Sequence, residues 1–245
     1  MNKGFFVFLT CILMFCSGVH AQKLNLATTD WEPIYGRSLP EQGFFSAISK
    51  AVFKRAGYDI TIQFLPWKRA LEGARSGKYD GLLGAYHSKD RARNFYYPDP
   101  LYASDEVFVQ YKGKGITYAT VEDLKGYSIG GMRGAANLVD LKKQGFDIRE
   151  TANDEQSLMK LNSNRVDLVL MGRPQVLFML ENNANIKKMA SHVDIIEPPY
   201  KSSNLYCPIT KKRMDGKFIV NKFNEALAAM KADGSYAAIL KRFGQ

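Results

Sequence analysis

Cysteine and histidine are scarce in residues 22–245, which hold one cysteine, Cys207, and two histidines, His87 and His192. Neither histidine has the spacing to other residues that is typical of a nucleophilic site or a zinc site. Cys207 alone cannot form an internal disulfide, and it has no basic residue or histidine beside it in sequence. This favours a buried, unreactive thiol over a nucleophile. Paired carboxylates acting as acid and base are the enzymatic alternative that one sequence leaves open.

The first 21 residues predict export. Lys3 precedes an almost wholly apolar run over residues 5–15, and Val19-His20-Ala21 places small residues at the two positions that a signal peptidase reads. The run is shorter than the roughly 20 apolar residues that span a bilayer. We therefore predict a signal peptide over residues 1–21 and a mature periplasmic protein that begins at Gln22. An uncleaved anchor, or lipid attachment at Cys16, is the less favoured alternative.

The basic charge does not point to nucleic acid. The formal net charge is +10, and the Lys and Arg residues are dispersed along the chain apart from Lys211-Lys212-Arg213. The sequence has no basic arm and no nucleic-acid-binding motif, and export also argues against such a partner. We expect most of this charge on solvated surface, with a minority share in a ligand site.

Short apolar strands alternate with helical patterns after residue 21, which is typical of α/β layers with largely parallel sheets. One set of units has predicted strands at 24–27, 60–64 and 79–83 and predicted helices at 44–55 and 66–77. A second set has predicted strands at 127–131 and 166–171 and predicted helices at 135–143 and 156–161, and two helices follow at 218–231 and 235–242. Strands predicted at 106–111 and 204–209 flank the second set as two crossovers. This organisation predicts a first lobe from residues 22–108 and 206–245, and a second lobe from residues 109–205.

Short motifs follow one another in a recognisable order along almost all of residues 22–245. They include Thr29-Asp30-Trp31-Glu32-Pro33, Pro66-Trp67-Lys68-Arg69-Ala70-Leu71, Asp90-Arg91-Ala92, Pro98-Asp99-Pro100-Leu101-Tyr102, Leu124-Lys125-Gly126, Arg133-Gly134, Arg165-Val166-Asp167 and Lys231-Ala232-Asp233-Gly234-Ser235-Tyr236. In this joint order they resemble the family 3 solute-binding proteins, the periplasmic receptors of polar amino acid ABC transporters and related sensors. The resemblance implies a two-lobed periplasmic binding protein fold (type II, Venus flytrap) with two crossover hinge strands. It also implies a cleft that closes around a small ligand, without catalysis and without a cofactor.

The resemblance also implies a set of ligand-binding residues. Arg91 aligns with the family's arginine that holds a ligand carboxylate, a task that suits the planar guanidinium fork. The alternative for Arg91 is a surface ion pair with Asp90 or Asp99. Aromatic residues fall where the family places rings against its ligand, although any of them could belong to the core; they are Trp31, Tyr35, Phe44 and Trp67.

Three departures from the family pattern affect the predicted ligand. Ala85 and Tyr86 follow Gly84 where the family usually has Met and a hydroxyl residue that binds the carboxylate; we predict that Gly84 and Tyr86 still belong to the ligand site, with Tyr86 as part of its wall. Ala135 and Ala136 follow Arg133-Gly134 where the family has Thr or Ser, so this segment offers only backbone N–H groups. Gly172, followed by Arg173 and Pro174, takes the place of the acid that binds the ligand's ammonium group.

Either another acid compensates, with Glu32, Glu41 and Asp140 as candidates, or the ligand lacks that ammonium group. The positive charges of Arg91, Arg133 and Arg173 would make the cleft favour negatively charged ligands. We therefore expect an organic anion, or an acidic or modified amino acid, rather than a simple neutral amino acid.

The partners expected from these residues are a small carboxylate-bearing ligand and an ABC transporter permease. A membrane signalling protein is the alternative to the permease, and a dehydratase-like enzyme on the same fold is the least favoured alternative. We expect a monomer without cofactor or metal.

Overall fold

The structure is a computed structural model that describes residues 22–245. The predicted signal peptide lies outside these residues. The strands are β1 (Gln22–Thr28), β2 (Tyr58–Phe64), β3 (Gly81–Leu82), β4 (Ala85–Tyr86), β5 (Phe95–Tyr96), β6 (Tyr102–Tyr111), β7 (Ser128–Met132), β8 (Asp147–Thr151), β9 (Leu168–Gly172), β10 (Val193–Ile195), β11 (Lys201–Tyr206) and β12 (Ile209–Thr210). The α-helices are α1 (Phe44–Arg55), α2 (Trp67–Ser76), α3 (Lys89–Ala92), α4 (Ala136–Lys143), α5 (Asp154–Asn162), α6 (Arg173–Asn182), α7 (Gly216–Ala232) and α8 (Ser235–Arg242). No helix in this part of the chain has the length and apolar character needed to cross a membrane.

The first lobe is built on a five-stranded sheet with the order β2-β1-β3-β12-β5. Strand β1 pairs in parallel with β2 and β3, whereas β12 pairs antiparallel with β3 and β5. Helix α1 buries apolar side chains at helical spacing, including Ile48 and Val52, against this lobe's core. Phe53 of α1 contacts Phe223 of α7 with ring centroids 4.8 Å apart, so the C-terminal helices complete the lobe that the N-terminal strand begins.

The second lobe is built on a seven-stranded sheet, in which six strands have the order β4-β11-β6-β9-β7-β8 and the seventh, β10, pairs with β6. Strands β7, β8 and β9 are parallel, and β9 is buried along its whole length. A fully buried, continuously apolar strand is typical of a sheet covered on both faces. Two apolar clusters within this lobe, one around Val169 and one around Phe108, form its core.

Two long strands of the second sheet, β6 and β11, carry the chain between the lobes. The predicted crossover at 106–111 is found, but β6 begins earlier, at Tyr102. The predicted single strand at 204–209 is wrong: β11 ends at Tyr206 in the second sheet, and β12 begins at Ile209 in the first. Pro208 has no N–H to donate and interrupts the ladder, while its carbonyl accepts a hydrogen bond from the Leu82 N–H at 2.9 Å.

Gly84 lies where the chain leaves the first sheet after β3 and enters the second sheet at β4. Its φ of +74° is in the left-handed region, which glycine adopts without steric cost. A Cβ at this position would lie 2.3 Å from the Tyr35 ring. The Tyr35 hydroxyl donates a hydrogen bond of 3.0 Å to the Gly84 carbonyl. The absence of a side chain therefore lets Tyr35 approach the backbone of this turn.

We expect Gly84→Ala to destabilise the protein more than Gly113→Ala. Both residues have positive φ, but a Cβ at Gly113 meets nothing within 4 Å. Both variants should lose about 1–2 kcal/mol from backbone strain, and Gly84→Ala should lose a further 1–3 kcal/mol, roughly, from overlap with Tyr35. Urea denaturation measures the difference. Equal losses would contradict the close approach of Tyr35.

Candidate functional site

A cleft lies between the two lobes, with an empty volume of about 580 Å³ that includes space open to solvent. Its walls come from segments that follow parallel strands: Thr29 and Trp31 after β1, Gly84 after β3, and Asp154 after β8. Gly172 ends β9 on the same side of the second lobe. In α/β sheets, ligands bind outside the carboxyl ends of parallel strands, so this is where a binding site is expected.

Arg91 is 3% exposed and contributes its guanidinium to the cleft wall. Its Nη1 donates to the Tyr86 carbonyl at 2.8 Å, and its Nη2 donates to the Gly134 carbonyl of the other lobe at 2.9 Å. The Ser88 hydroxyl caps α3 by accepting from the Arg91 N–H, which fixes the start of this short helix. Burial lowers the pKa of Arg91 from its ordinary value. The predicted alternative, a surface ion pair with Asp90 or Asp99, is not found: Asp90 pairs with Arg75 instead.

Trp67 reinforces the contact between the lobes. Its indole Nε1 donates to the same Gly134 carbonyl at 3.1 Å. The Arg91 guanidinium carbon lies 5.1 Å from the centre of the Trp67 ring, within the range of a cation–π interaction. One backbone carbonyl of the second lobe thus accepts hydrogen bonds from two side chains of the first.

Three aromatic rings line the cleft beside Arg91. Trp31 lies 5.7 Å from both Tyr35 and Tyr86, measured between ring centroids, and meets Tyr86 edge to face. Trp31 and Tyr35 are also joined by a backbone bridge, in which the Trp31 N–H donates to the Tyr35 carbonyl at 2.8 Å. These contacts hold a flat apolar wall in place.

Glu106, on crossover strand β6, brings a carboxyl group into the cleft and is 3% exposed. Its Oε2 has no hydrogen-bond partner among residues 22–245. Burial raises the pKa of Glu106 to about 7, an effect that Lys201 and the nearby Tyr86 partly oppose. The cleft therefore contains a carboxyl group that is only partly ionised at neutral pH.

Asp154 is a second buried carboxyl group, 7% exposed, at the first position of α5. The Asn153 side chain caps this helix by accepting from the Gln156 N–H at 2.9 Å, and this places Asp154 facing the cleft. Burial raises the pKa of Asp154 to about 6, and the nearby Trp31 opposes the rise.

The structure does not bring Arg133 or Arg173 into the cleft. The Arg133 side chain is 57% exposed and lies 3.5 Å from Glu150. Arg173 donates to both carboxylate oxygens of Glu197, at 2.7 and 2.9 Å, and neither arginine is among the lining residues. Both guanidinium groups are thus paired with acids of their own lobe. The cleft accordingly lacks two of the three cations on which the expected preference for negatively charged ligands depends.

The acids proposed to compensate for Gly172 also lie elsewhere. Glu41 pairs with Arg242 at 2.9 Å, Glu32 contacts the Ser38 hydroxyl, and Asp140 is not among the lining residues. Phe44 packs in the core against Tyr102, with centroids 5.0 Å apart.

Seven predicted site residues are brought together around the cleft. They are Arg91, Trp67, Trp31, Tyr35, Tyr86, Gly84 and Ala135. Glu106 and Asp154 are the charged lining residues that the sequence analysis misses. For Glu106 a signal exists, because an acid directly before the apolar run Val107-Phe108-Val109 is unusual in a strand of a covered sheet.

Cys207 lies outside the cleft lining and is fully buried, with its sulfur 3.3 Å from the Ser49 hydroxyl. Burial raises the pKa of its thiol to about 12, which fits an unreactive cysteine. Within the described chain, no three His, Cys, Asp or Glu residues are grouped so as to hold a metal ion.

Comparison with known proteins gives a consistent family and fold. The family model of the bacterial extracellular solute-binding proteins, family 3, matches residues 28–245. The ABC transporter arginine-binding protein 1 of Escherichia coli (strain K12) is 26% identical over 225 residues, which cover 89% of each chain.

Two solved structures share the fold of the chain. A histidine kinase sensor domain with similarity to periplasmic binding proteins has a TM-score of 0.78 at 17% identity, covering 92% of this chain and 96% of that one. An ancestral arginine-binding protein bound to arginine has a TM-score of 0.74 at 24% identity, covering 91% of this chain and 99% of that one. The predicted two-lobed α/β fold is confirmed.

The two buried carboxyl groups predict how stability depends on pH. Their pKa values, about 7 for Glu106 and about 6 for Asp154, lie above the ordinary 4.5 and 3.8, so the folded protein holds these protons more tightly than the unfolded chain. Their stabilising contribution is present at low pH and is lost as the pH rises through about 6–7. The loss amounts to roughly 3 kcal/mol for each group.

We therefore expect the ligand-free double variant Glu106→Gln/Asp154→Asn to be more stable than the wild type at pH 8, with a smaller advantage at pH 5. Urea denaturation at the two pH values measures this difference. Asp105→Asn, at a partly exposed position next to Glu106, is the control and should follow the wild type. An advantage of equal size at both pH values would contradict the raised pKa values.

Proposed function

Because the chain belongs to the bacterial extracellular solute-binding proteins, family 3, we propose that it captures an amino acid in its cleft and delivers it to an ABC-type permease from the periplasm. The family consists of solute-binding proteins rather than enzymes. The arrangement of strands around the cleft supports the same activity, since two crossover strands allow the lobes to close around a ligand.

The buried guanidinium of Arg91 is the observation that carries this proposal. A guanidinium has five N–H donors, and two of them are used on the carbonyls of Tyr86 and Gly134. Two of the other N–H groups would be enough for a bidentate pair with a ligand carboxylate. Trp67 supports the guanidinium from one face, and the rings of Trp31 and Tyr86 offer an apolar wall for the rest of the ligand.

The charges of the cleft favour an amino acid that also carries positive charge. One buried cation, Arg91, shares the cleft with two buried carboxyl groups, Glu106 and Asp154. A dicarboxylate would meet both carboxyl groups with like charge, so this arrangement argues against the simple organic anion expected from sequence. A cationic amino acid such as arginine complements all three groups, and the relative from Escherichia coli is named for binding arginine.

A thermal-shift panel first identifies the ligand. It holds the twenty amino acids, L-cystine and several dicarboxylates, since a ligand stabilises the native state in proportion to the logarithm of its concentration above Kd. We expect the largest stabilisation from L-arginine or a related basic amino acid. Stabilisation by dicarboxylates alone, or by none of these compounds, would overturn the proposed function.

Arg91 variants then test the carboxylate contact by isothermal titration calorimetry with the best-binding amino acid. Arg91→Lys should weaken binding nearly as much as Arg91→Ala, because lysine keeps the charge but loses the fork. Removing one partner of a buried charged pair costs roughly 2–5 kcal/mol, or about 30-fold and upward in affinity. Arg93→Ala, at an exposed position, is the matched control and should change affinity little. A larger effect at Arg93 than at Arg91 would place the carboxylate site elsewhere.

A further inference from the structure

Glu106 has a position and an environment that the carboxylate site at Arg91 does not explain. It lies on β6, one of the two crossover strands, and it lines the same cleft as Arg91. Its side chain is almost completely buried, yet its Oε2 has no hydrogen-bond partner in the described part of the chain. A carboxyl group held in this way is available to a ligand.

The register of the second sheet places Glu106 directly opposite Gly172, the last residue of β9. Opposite residues of an antiparallel pair project to the same face of the sheet, with Cβ positions about 5 Å apart. A Cβ at Gly172 would lie 1.8 Å from the Gln175 Oε1 and 3.1 Å from the Trp31 ring. An acidic side chain at the end of β9 would therefore require the Gln175 side chain to move, whereas Glu106 reaches the same face from the neighbouring strand.

The charged groups around Glu106 leave it without a cationic partner. Lys201 of β11 and Arg91 are the cations that act on it, and Asp154 of α5 acts as a like charge. No Lys or Arg of residues 22–245 forms a salt bridge with Glu106: Lys201 and Arg91 act on it from farther away, and Nη1 and Nη2 of Arg91 each donate one hydrogen bond to a backbone carbonyl. A buried carboxylate without a partner is strongly unfavourable, so its ionised form requires a cation from outside the protein.

We infer that Glu106 binds the α-ammonium group of the amino acid whose carboxylate is held by Arg91, an assignment that rests on the proposed function. The carboxyl and ammonium groups of one α-amino acid are separated by a single carbon atom. Arg91 and Glu106 face the same cleft and each contributes to the electrostatic environment of the other. The acid that sequence comparison expects at position 172 has thus moved to the adjacent strand, and the ligand stays zwitterionic.

Asp154 is the competing candidate for this contact. It belongs to α5 rather than to the crossover strands, and it lies beside Trp31. In our assignment Asp154 faces the ligand's side chain. The experiment must therefore distinguish this assignment from the reverse one, in which Asp154 binds the ammonium group and Glu106 faces the ligand's side chain.

The test uses the amino acid found in the thermal-shift panel and its 2-hydroxy-acid analogue, which for L-arginine is L-argininic acid. Calorimetry on Glu106→Gln should show at least 30-fold weaker binding of the amino acid than wild type. The hydroxy analogue should bind wild type at least 30-fold more weakly than the amino acid, and Glu106→Gln should weaken it no more than about threefold. Asp105→Asn, which removes the neighbouring carboxylate, is the matched control and should bind like wild type.

The outcomes separate the inference from the function on which it rests. If wild type binds no amino acid of the panel, the proposed function fails and the inference fails with it. If wild type binds the amino acid but Glu106→Gln binds it within threefold, the function stands and the assignment of Glu106 is wrong. If Asp154→Asn, rather than Glu106→Gln, removes the preference for the amino acid over its hydroxy analogue, the ammonium lies at Asp154. The comparison of the two compounds on wild type needs no variant, so equal binding of both would overturn the inference even if Glu106→Gln failed to fold.

Discussion

The structure of the cleft depends on the burial of one cation, the guanidinium of Arg91. A guanidinium stays protonated in proteins, so a buried arginine must find acceptors for its N–H groups. The acceptors here are the Tyr86 carbonyl, at the end of β4, and the Gly134 carbonyl, after β7 of the second lobe. Because Trp67 donates to the same Gly134 carbonyl, both lobes are held together around this one charge. Opening the cleft removes acceptors from both side chains at once.

A ligand can stabilise this closed arrangement only through contacts that the open one lacks. Arg91 has further N–H donors for a carboxylate, and no Lys or Arg of residues 22–245 forms a salt bridge with the buried Glu106 or Asp154. Such a cleft is electrostatically incomplete, because burial makes its carboxyl groups hard to ionise. A zwitterion supplies both missing charges together and favours the ionised form of the acids. In the proposed function, the groups that select the ligand would therefore also drive closure around it.

Much of this arrangement is predictable from local sequence, and the remainder depends on pairing between distant segments. Helices α1 and α8 are predicted with their observed bounds, since apolar spacing and neighbouring glycines mark their ends. Arg91, Trp31 and Trp67 are found through motif order. The predicted strand at 204–209 fails because strand propensity does not reveal that Tyr206 and Ile209 join different sheets. Arg173 is wrongly predicted to face the cleft because its partner, Glu197, is distant in sequence. Glu106 is missed for a related reason, since only the pairing of two distant strands shows that it lies opposite Gly172.

The most direct test of the account is a crystal structure of the protein grown with the amino acid that it binds most tightly. We predict that one end of that molecule, its carboxylate, accepts two hydrogen bonds from the Arg91 guanidinium. Its ammonium group should lie within hydrogen-bond distance of Glu106, and Gly134 should remain in contact with Arg91 and Trp67. A bound amino acid whose carboxylate contacts neither Arg91 nor the backbone beside Ala135, with its ammonium away from Glu106, would contradict the account.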